Sequence, residues 1–311
     1  MRVAIFGAGG VGAYFGARLA EAGTELAVIA RGAHLEAIRA DGLRVDSVLG
    51  DMRVEPAITS ASTADVGPVD VVLLGVKTWQ VAEAMQSLGP LLGRETLVVP
   101  LQNGVETIDE LTSALGEQYV AGGVCGGFCF IVAPGHVRHI GGTTFIKFGE
   151  LDGRKTRRVE ALRDAFVRAR VDAAVPDDIR VALWEKFLLV VPFGGLGAVT
   201  RAPIGVLVTQ PGTRELLTCG MREIEAIARA RGVPLPQDAV ERTLATLDSV
   251  TPSGTSSLQR DVAAGKRSEL DEWTGAVVRL GKRAGVATPV HDFLYTSLLP
   301  QERRARGELE F

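Results

Sequence analysis

Apolar residues near the start of the chain occur in short runs separated by a glycine-rich turn and a helical stretch. Residues 2–6 and 26–29 are apolar runs of strand type, and residues 13–22 have the composition of a helix that Gly23 ends. A strand, a turn, a helix and a second strand in this order form the βαβ unit of parallel sheets. The pattern therefore predicts a doubly wound α/β sheet at the start of the chain.

The alternation of strands and helices continues to about residue 175. The run at residues 71–76 has no polar side chain, as expected of a central parallel strand covered on both faces. Two hairpins are predicted: residues 43–46 with 52–55, inserted in the sheet, and residues 136–140 with 143–148, closing one of its edges. The other predicted elements are strands at residues 96–101, 119–124 and 171–175, helices at residues 33–40 and 157–170, and two helices that end at Leu88 and Leu115.

Downstream of Pro176 the apolar residues recur only with the periodicity of helices, and no strand is predicted. The first of them is hydrophobic nearly all the way round, which indicates a buried helix. We therefore predict two domains, an N-terminal Rossmann-like domain at residues 1–177 and an all-helical domain at residues 178–311. The predicted helices of the second domain are residues 179–191, 213–231 and 236–250, followed by one that runs to Gly285.

Composition and charge argue against several classes of protein. The chain has 311 residues, of which 46% are hydrophobic and 23% charged, and its formal net charge is −3. The sequence has no block of basic residues, so nothing in it suggests binding to nucleic acid. The first predicted strand begins at residue 2, which argues against a signal peptide. The longest apolar run, residues 187–199, is shorter than the ~20 residues of a membrane span. We expect a cytoplasmic protein without a membrane partner, and the sequence leaves open whether it forms a homodimer.

The cysteines and histidines do not suggest a metal site. Cys125, Cys129 and Cys219 are too sparse for a disulfide framework, as in a reduced cytosolic protein. Cys125 and Cys129 have no second pair or histidine cluster at ligand spacing, so we predict buried thiols. His136 and His139 fall on different faces of a predicted strand.

The turn after the first apolar run has the G-x-G-x-x-G pattern of a dinucleotide site. The first glycine allows a tight turn, the second lets a pyrophosphate approach the backbone, and the third lets the helix pack closely on the strand. The N–H groups and dipole of the helix then face the phosphates. The alternative is a glycine-rich turn without a ligand. The predicted cofactor-binding residues are Gly7, Ala8, Gly9, Gly10, Val11 and Gly12.

The end of the second strand indicates which dinucleotide binds. An NAD site usually has an acidic residue there, which holds the ribose 2′-hydroxyl. This chain has Ala30 and Arg31 instead, and an arginine can form a forked pair with a 2′-phosphate. The pattern favours NADP(H) as the cofactor, with a surface arginine as the alternative.

Two further strand ends carry polar residues. Lys77 follows the apolar run at residues 71–76, and Asn103 follows the strand at residues 96–101. Ligands collect at the carboxyl ends of parallel strands, so we expect both residues to lie near the glycine turn. The alternatives are a solvated loop lysine and, for Asn103-Gly104, a simple turn.

Three polar residues stand out in the second half. Lys186 lies in the apolar stretch at residues 179–191, where an ammonium is costly unless it is paired or useful. The alternative is a lysine that reaches solvent beside Glu185. Ser257 lies at a predicted helix start, where hydroxyls are usually caps, and Glu269 could be an ordinary surface residue.

Taken together, these motifs resemble the ketopantoate reductase (2-dehydropantoate 2-reductase) family over nearly the full length. No single motif is specific, but their order and spacing are. The motifs are G-A-G-G-V-G at residues 7–12, Arg31, V-K-T-W-Q at residues 76–80, L-Q-N-G at residues 101–104, W-E-K-F at residues 184–187, and S-S at residues 256–257 followed by E-L-D at residues 269–271.

The resemblance implies an NADPH-dependent oxidoreductase that converts 2-dehydropantoate to (R)-pantoate in pantothenate biosynthesis. By matching position, Lys186 and Glu269 would be catalytic, and Glu269 would also contact the cofactor ribose. Lys77 and Asn103 would contact both cofactor and substrate, Lys186 would also bind substrate, and Ser257 would bind the substrate carboxylate.

The chain departs from the family pattern downstream of Lys186. Family members typically have asparagines that bind polar groups of the substrate at the positions of Val190, Gly194 and Ile204. Without those partners, a preference for a hydroxylated substrate is weakened. Two alternatives therefore stand beside 2-dehydropantoate reduction: a reductase of the same fold that acts on a more apolar 2-oxo acid, and an NADP(H)-binding protein that is not an enzyme.

Overall fold

The computed structural model describes residues 1–141 and 144–311, which form two compact units. The first unit comprises Met1–Gln102 and Thr107–Ala182, and the second comprises Asn103–Glu106 and Leu183–Phe311. The sequence-based boundary after residue 177 stays a prediction; the change of unit at Ala182 falls inside a helix, so no linker marks it.

The first unit is built on a parallel sheet with the strand order β5-β2-β1-β6-β7. β1 is buried along most of its length and pairs with β2 on one side and β6 on the other. The predicted doubly wound sheet is therefore confirmed. Its strands are β1 Arg2–Phe6, β2 Glu25–Ile29, β5 Ile58–Ser60, β6 Val69–Leu74 and β7 Leu92–Pro100, and the helices of the unit are α1 Gly10–Glu21, α2 Gly32–Asp41, α3 Val81–Met85, α4 Thr107–Leu115 and α5 Arg157–Arg168.

Two smaller sheets complete the first unit. One has the order β4-β3-β10-β9 and the other the order β12-β11-β8. A parallel bridge between Val98 of β7 and Val120 connects the latter to the main sheet. The strands are β3 Leu43–Ser47, β4 Met52–Val54, β8 Ala121–Gly126, β9 Cys129–Ala133, β10 His136–His139, β11 Phe145–Glu150 and β12 Asp172–Ala174.

Both hairpin predictions need correction. β3 and β4 do pair antiparallel, but they belong to the four-stranded sheet and are not inserted in the main one. The second hairpin was wrong: β10 pairs with β9 and β3, whereas β11 pairs with β8 and β12. Gly142 of its predicted turn and Thr143, the first residue of its predicted second strand, lie outside the described residues. Hydrophobic alternation indicates a strand but does not identify a partner that is distant in sequence.

The second unit consists of helices throughout its described elements. The first of them, α6, continues through Pro192, where the sequence predicted its end. Pro192 packs on α8, since a Cβ on Gly220 would lie 3.3 Å from the proline Cβ. The helices are α6 Ile179–Thr200, α7 Ile204–Thr209, α8 Pro211–Ala230, α9 Ala239–Ser249, α10 Ser257–Ala263, α11 Thr274–Ala284 and α12 Pro289–Ala305.

α6 also bears on the question of a membrane. Among the described residues it is the one helix that is long and apolar enough to cross a bilayer, and 67% of its most apolar window is buried inside the protein. A buried core helix passes the same test of length and composition.

Candidate functional site

The glycine turn joins β1 to α1, and other atoms of the protein pack closely against three of its glycines. Gly7 has a φ of +94°, and a Cβ there would lie 2.7 Å from the Val76 side chain. A Cβ on Gly12 would lie 2.5 Å from the Gly7 carbonyl oxygen, and one on Gly10 would lie 2.3 Å from that of Cys129. Side chains at these positions would push the turn out of shape, so the fold itself requires three of its glycines.

Gly9 is different, because the protein leaves room around it. A Cβ there would approach nothing closer than the Gly75 oxygen at 3.5 Å, and its φ of −66° is ordinary for any residue. Gly9 is also the N-cap of α1, which has neither a side-chain cap nor an acidic residue in its first turn. These features fit a turn that presents backbone N–H groups to an anion.

His34 supports the turn, a role that sequence analysis missed. Its Nδ1 accepts a hydrogen bond from the Gly135 N–H at 2.9 Å, so its Nε2 carries the proton and donates to the Ala8 carbonyl at 2.8 Å. Burial lowers the pKa of His34, against the opposing effect of the bond to Ala8. The neutral ring therefore connects the glycine turn to the loop before β10.

Arg31 stands at the carboxyl end of β2, as predicted, and is the N-cap of α2. Its side chain is 61% exposed, and Nη1 lies 2.7 Å from the Glu83 carboxylate of α3. The guanidinium is therefore accessible but already has an acidic partner. Any anion that Arg31 binds must share it with Glu83.

Lys77 is exposed and follows β6, with its Nζ 5.5 Å from the centre of the Trp79 ring. Gln102 fixes the loop that leads to it, donating from Nε2 to the carbonyl oxygens of Leu74 and Val76 at 2.9 and 2.8 Å. β2, β1 and β6 are neighbours, so the first unit brings Arg31, the glycine turn and Lys77 to one edge of its sheet.

Asn103 belongs to the second unit, although the strand before it and the helix after it belong to the first. Asn103 is half-buried, Gly104 has a φ of +131°, and residues 102–106 form a bend. A Cβ on Gly104 would lie 3.6 Å from the Glu272 carbonyl oxygen. The structure thereby groups Asn103 with the candidate residues of the helical unit.

Lys186 lies on α6, one turn before Val190, and is half-buried rather than fully buried. Its neighbours Leu183 and Phe187 are buried. Glu185 was named in the alternative interpretation of Lys186 as a lysine that reaches solvent, and its Oε1 lies 3.7 Å from Nη1 of Arg242 on α9.

Ser257 is the first residue of α10, and the idea that it caps this helix was wrong. The N-cap is Ser256, whose hydroxyl accepts a hydrogen bond from the Gln259 N–H at 3.0 Å. Ser256 is buried, whereas Ser257 is half-exposed. The Ser257 hydroxyl is therefore not the group that caps the helix.

Glu269 is buried, with 7% of its surface exposed, so it is not an ordinary surface glutamate. The residues beside it are fixed to α12. Ser268 donates from its N–H and its hydroxyl to the buried Glu302 carboxylate, at 3.0 and 2.5 Å. Asp271 pairs with Arg306 at 2.6 Å. The contacts of Ser268 and Asp271 therefore fix the turn that carries Glu269 both before and after this residue.

Arg279 of α11 connects the two loops that carry Asn103 and Glu269. It donates to the Glu106 carboxylate at 2.6 Å, three residues after Asn103, and to the Asp271 carbonyl at 2.9 Å, two residues after Glu269. Amphipathic periodicity places this arginine on a helix but gives no reason to select it.

Glu272 is a further titratable group of this region that sequence analysis missed. Burial raises its pKa to about 7, and the nearby Asp271 and Glu269 carboxylates add to the effect. A carboxyl group that titrates near neutral pH therefore lies beside Glu269. No set of three or more metal-ligating side chains occurs in the described part of the chain.

A Rossmann-like unit with a glycine-rich turn after its first strand is the architecture of a dinucleotide-binding protein. Two family models match the chain: Ketopantoate reductase PanE/ApbA over residues 3–153, and Ketopantoate reductase PanE/ApbA C terminal over residues 178–302. The chain belongs to the ketopantoate reductase family and is an oxidoreductase, which confirms the resemblance seen in its motifs.

Similar proteins agree with this membership. The chain is 35% identical to a 2-dehydropantoate 2-reductase from Mesorhizobium japonicum, over 94% of this chain and 95% of that one. A PanE/ApbA family ketopantoate reductase from Ralstonia eutropha has a similar crystal structure, with a TM-score of 0.88 and 37% identity over 98% of this chain and all of the other. D-mandelate dehydrogenase, solved with NADH and anilino(oxo)acetate, shares the fold at a TM-score of 0.88 and 23% identity, covering 98% and 99% of the two chains.

Proposed function

We propose that this enzyme reduces a 2-oxo acid to a 2-hydroxy acid with NADPH. The observation that carries the proposal is the half-buried Lys186 ammonium on an apolar helix, in the same unit as Asn103, Ser257 and Glu269. The first candidate substrate is 2-dehydropantoate, reduced to (R)-pantoate in pantothenate biosynthesis, because the names of the similar reductases give that substrate.

The first unit would bind the cofactor. The backbone of Gly7–Gly12 and the N-terminus of α1 suit the pyrophosphate, because the first N–H groups of a helix lack intrahelical partners and Gly9 leaves room for a close approach. Arg31 would pair with the 2′-phosphate, with Lys77 beside the same strand ends. Bound NADPH supplies the hydride and NADP⁺ leaves.

The second unit would bind and protonate the acid. Ser257 and Asn103 offer hydrogen bonds to the carboxylate. The Lys186 ammonium stabilises the negative charge that develops on the carbonyl oxygen and gives it a proton, which completes the hydroxyl group; solvent then restores the proton of the lysine. Glu269 would contact the cofactor ribose and hold the lysine in place through its buried carboxylate.

A panel of 2-oxo acids tests the proposal directly. Purified enzyme should oxidise NADPH in the presence of 2-dehydropantoate or another 2-oxo acid, and absorbance at the nicotinamide band measures the rate. Cofactor binding without turnover of any acid in the panel would contradict the proposal and favour an NADP(H)-binding protein without enzymatic activity.

We expect Arg31→Ala to raise KM for NADPH about tenfold, because a charge-assisted bond to a phosphate contributes about 1.5 kcal/mol. KM for NADH should stay within about twofold, since NADH lacks the phosphate that Arg31 would bind. Glu83→Gln should lower KM for NADPH, because it removes the carboxylate that lies 2.7 Å from the guanidinium.

The matched control is Arg39→Ala, on the same helix, which pairs with Glu36 at 3.4 Å. It should change neither KM. Equal effects of Arg31→Ala on NADPH and NADH would show that Arg31 does not recognise the 2′-phosphate.

A more apolar 2-oxo acid is the second candidate substrate. Val190 cannot form a hydrogen bond through its side chain. Gly194 is closely covered by the indole of Trp273, since a Cβ at Gly194 would lie 2.9 Å from the ring. The α6 surface beyond Lys186 therefore offers no side-chain partner for a substrate hydroxyl at these two positions.

A further inference from the structure

An apolar hollow opens on the surface of the helical unit, where residues of α6, α8 and α12 meet. Its volume is about 190 Å³, and every side chain that lines it is apolar. Pro192, Leu196 and Leu294 are buried beneath it. At its rim, Phe293 is 62% exposed and Leu216 is 42% exposed. Large apolar side chains grouped around a hollow are typical of an interaction surface, whereas scattered ones need no explanation.

The exposed face of α8 continues from this rim with two charged side chains. Glu215 comes directly before Leu216, and Arg222 lies two turns after Glu215. Both charged residues are exposed, and neither side chain forms an ion pair with another residue of the described part of the chain. Cys219, which is also exposed, lies between them.

The charged side chains nearer the two ends of α8 do have partners. Arg214 pairs with Asp248 of α9 at 2.6 Å, and Arg229 pairs with Glu225 at 2.6 Å. The middle of the helix is therefore the part whose charges remain available to another molecule.

The spacing of the two charges is complementary to itself. When a twofold axis relates two antiparallel helices, residue i of each helix faces residue j of the other. An axis between Thr218 and Cys219 places Glu215 of each copy opposite Arg222 of the other, because both lie on one face and equally far from the axis. A single register therefore forms two ion pairs.

We propose that α8 packs antiparallel against α8 of a second copy of this chain, and that the same interface covers the rims of the two hollows. Leu216 and Phe293 then leave water in both copies, which stabilises the dimer. A second copy is the occupant that the charge pattern favours. None of the residues that line the hollow is a candidate for binding cofactor or substrate, so the proposal is independent of the proposed reaction.

Analytical ultracentrifugation of the full chain over a range of concentrations tests the proposal. We expect a reversible dimer of the unmodified chain. Glu215→Arg or Arg222→Glu alone sets like charges opposite each other twice, and should raise the dimer Kd at least ~10-fold. The double variant Glu215→Arg with Arg222→Glu restores both pairs, and should return Kd to within about threefold of the unmodified value.

The matched control is Glu241→Arg, an exposed site on α9 that changes the net charge by the same amount and should leave Kd unchanged. A chain that stays monomeric at every concentration overturns the proposal and leaves the hollow to a different partner. Single reversals without effect, or a double variant that does not recover, overturn the proposed register. Both substituted side chains are exposed, and thermal unfolding establishes that each variant is folded.

Cys219 provides a second test that leaves the charges unchanged. It is the exposed cysteine next to the proposed axis, whereas Cys125 is buried and Cys129 half-buried. A short bismaleimide should join the Cys219 thiols of two copies, so that a denaturing gel shows a band at twice the chain mass. Cys219→Ser should abolish this band, and Glu215→Arg should weaken it. A chain that dimerises without forming the cross-link pairs through another surface, which overturns the proposal.

Discussion

Replacing Lys186 with alanine should reduce kcat at least ~10²-fold, the size of effect that a positioned proton donor contributes. The oxygen of the oxo acid becomes an alkoxide as the hydride arrives, and the variant lacks the ammonium that would stabilise that oxygen and give it a proton. The affinity for NADPH should stay within about twofold, because the first unit carries the glycine turn and Arg31. Stopped-flow reduction and fluorescence titration with NADPH measure the two quantities.

The control for this variant is Lys282→Ala. Lys282 is an exposed lysine of α11, so its loss should leave both kcat and NADPH affinity unchanged. A Lys186→Ala enzyme that turns over at the unmodified rate would remove Lys186 from the mechanism.

Gly9→Ala should reduce NADPH affinity at least ~10-fold while costing less than about 1 kcal/mol of stability. A Cβ at Gly9 meets no protein atom closer than 3.5 Å, so the fold accepts it. The methyl group would nevertheless occupy the space through which a pyrophosphate approaches the turn. Isothermal titration with NADPH and chemical unfolding separate the two effects.

Gly12→Ala is the matched comparison. Its Cβ would lie 2.5 Å from the Gly7 oxygen, so we expect a loss of about 1–3 kcal/mol in the free energy of unfolding even without a cofactor. If Gly9→Ala binds NADPH as tightly as the unmodified chain does, the pyrophosphate does not approach the backbone at Gly9, and the proposed role of this glycine is wrong.

Local sequence was sufficient for the elements whose partners are close in the chain. The apolar run, glycine turn and helix that begin at Arg2 lie where the pattern placed them, with α1 starting at Gly10. The reason is that the strand, the turn and the helix follow one another directly, and the atoms that crowd Gly12 belong to Gly7 and Ile5 of the same segment. The family was recognisable for a related reason, because its motifs are short and stand at fixed spacings.

The same pattern was insufficient wherever a distant contact decided the outcome. β10 was expected to turn back onto residues 143–148, yet it pairs with β3, more than eighty residues earlier. α6 was expected to end before Pro192, yet packing on α8 carries it to Thr200. Propensity describes a residue and its neighbours, whereas tertiary packing can override it.

The same distinction between local sequence and distant contacts applies to the candidate site. The sequence by itself selected the residue types: the glycine turn, Arg31, Lys186 and Glu269 all carry a recognisable chemistry at a recognisable spacing. Only the tertiary structure grouped Asn103 with the helical unit, fixed the Glu269 turn through Ser268 and Glu302, and set an indole against Gly194. Chemistry follows from residue identity, but the shape of a pocket depends on which distant side chains fill the space around it.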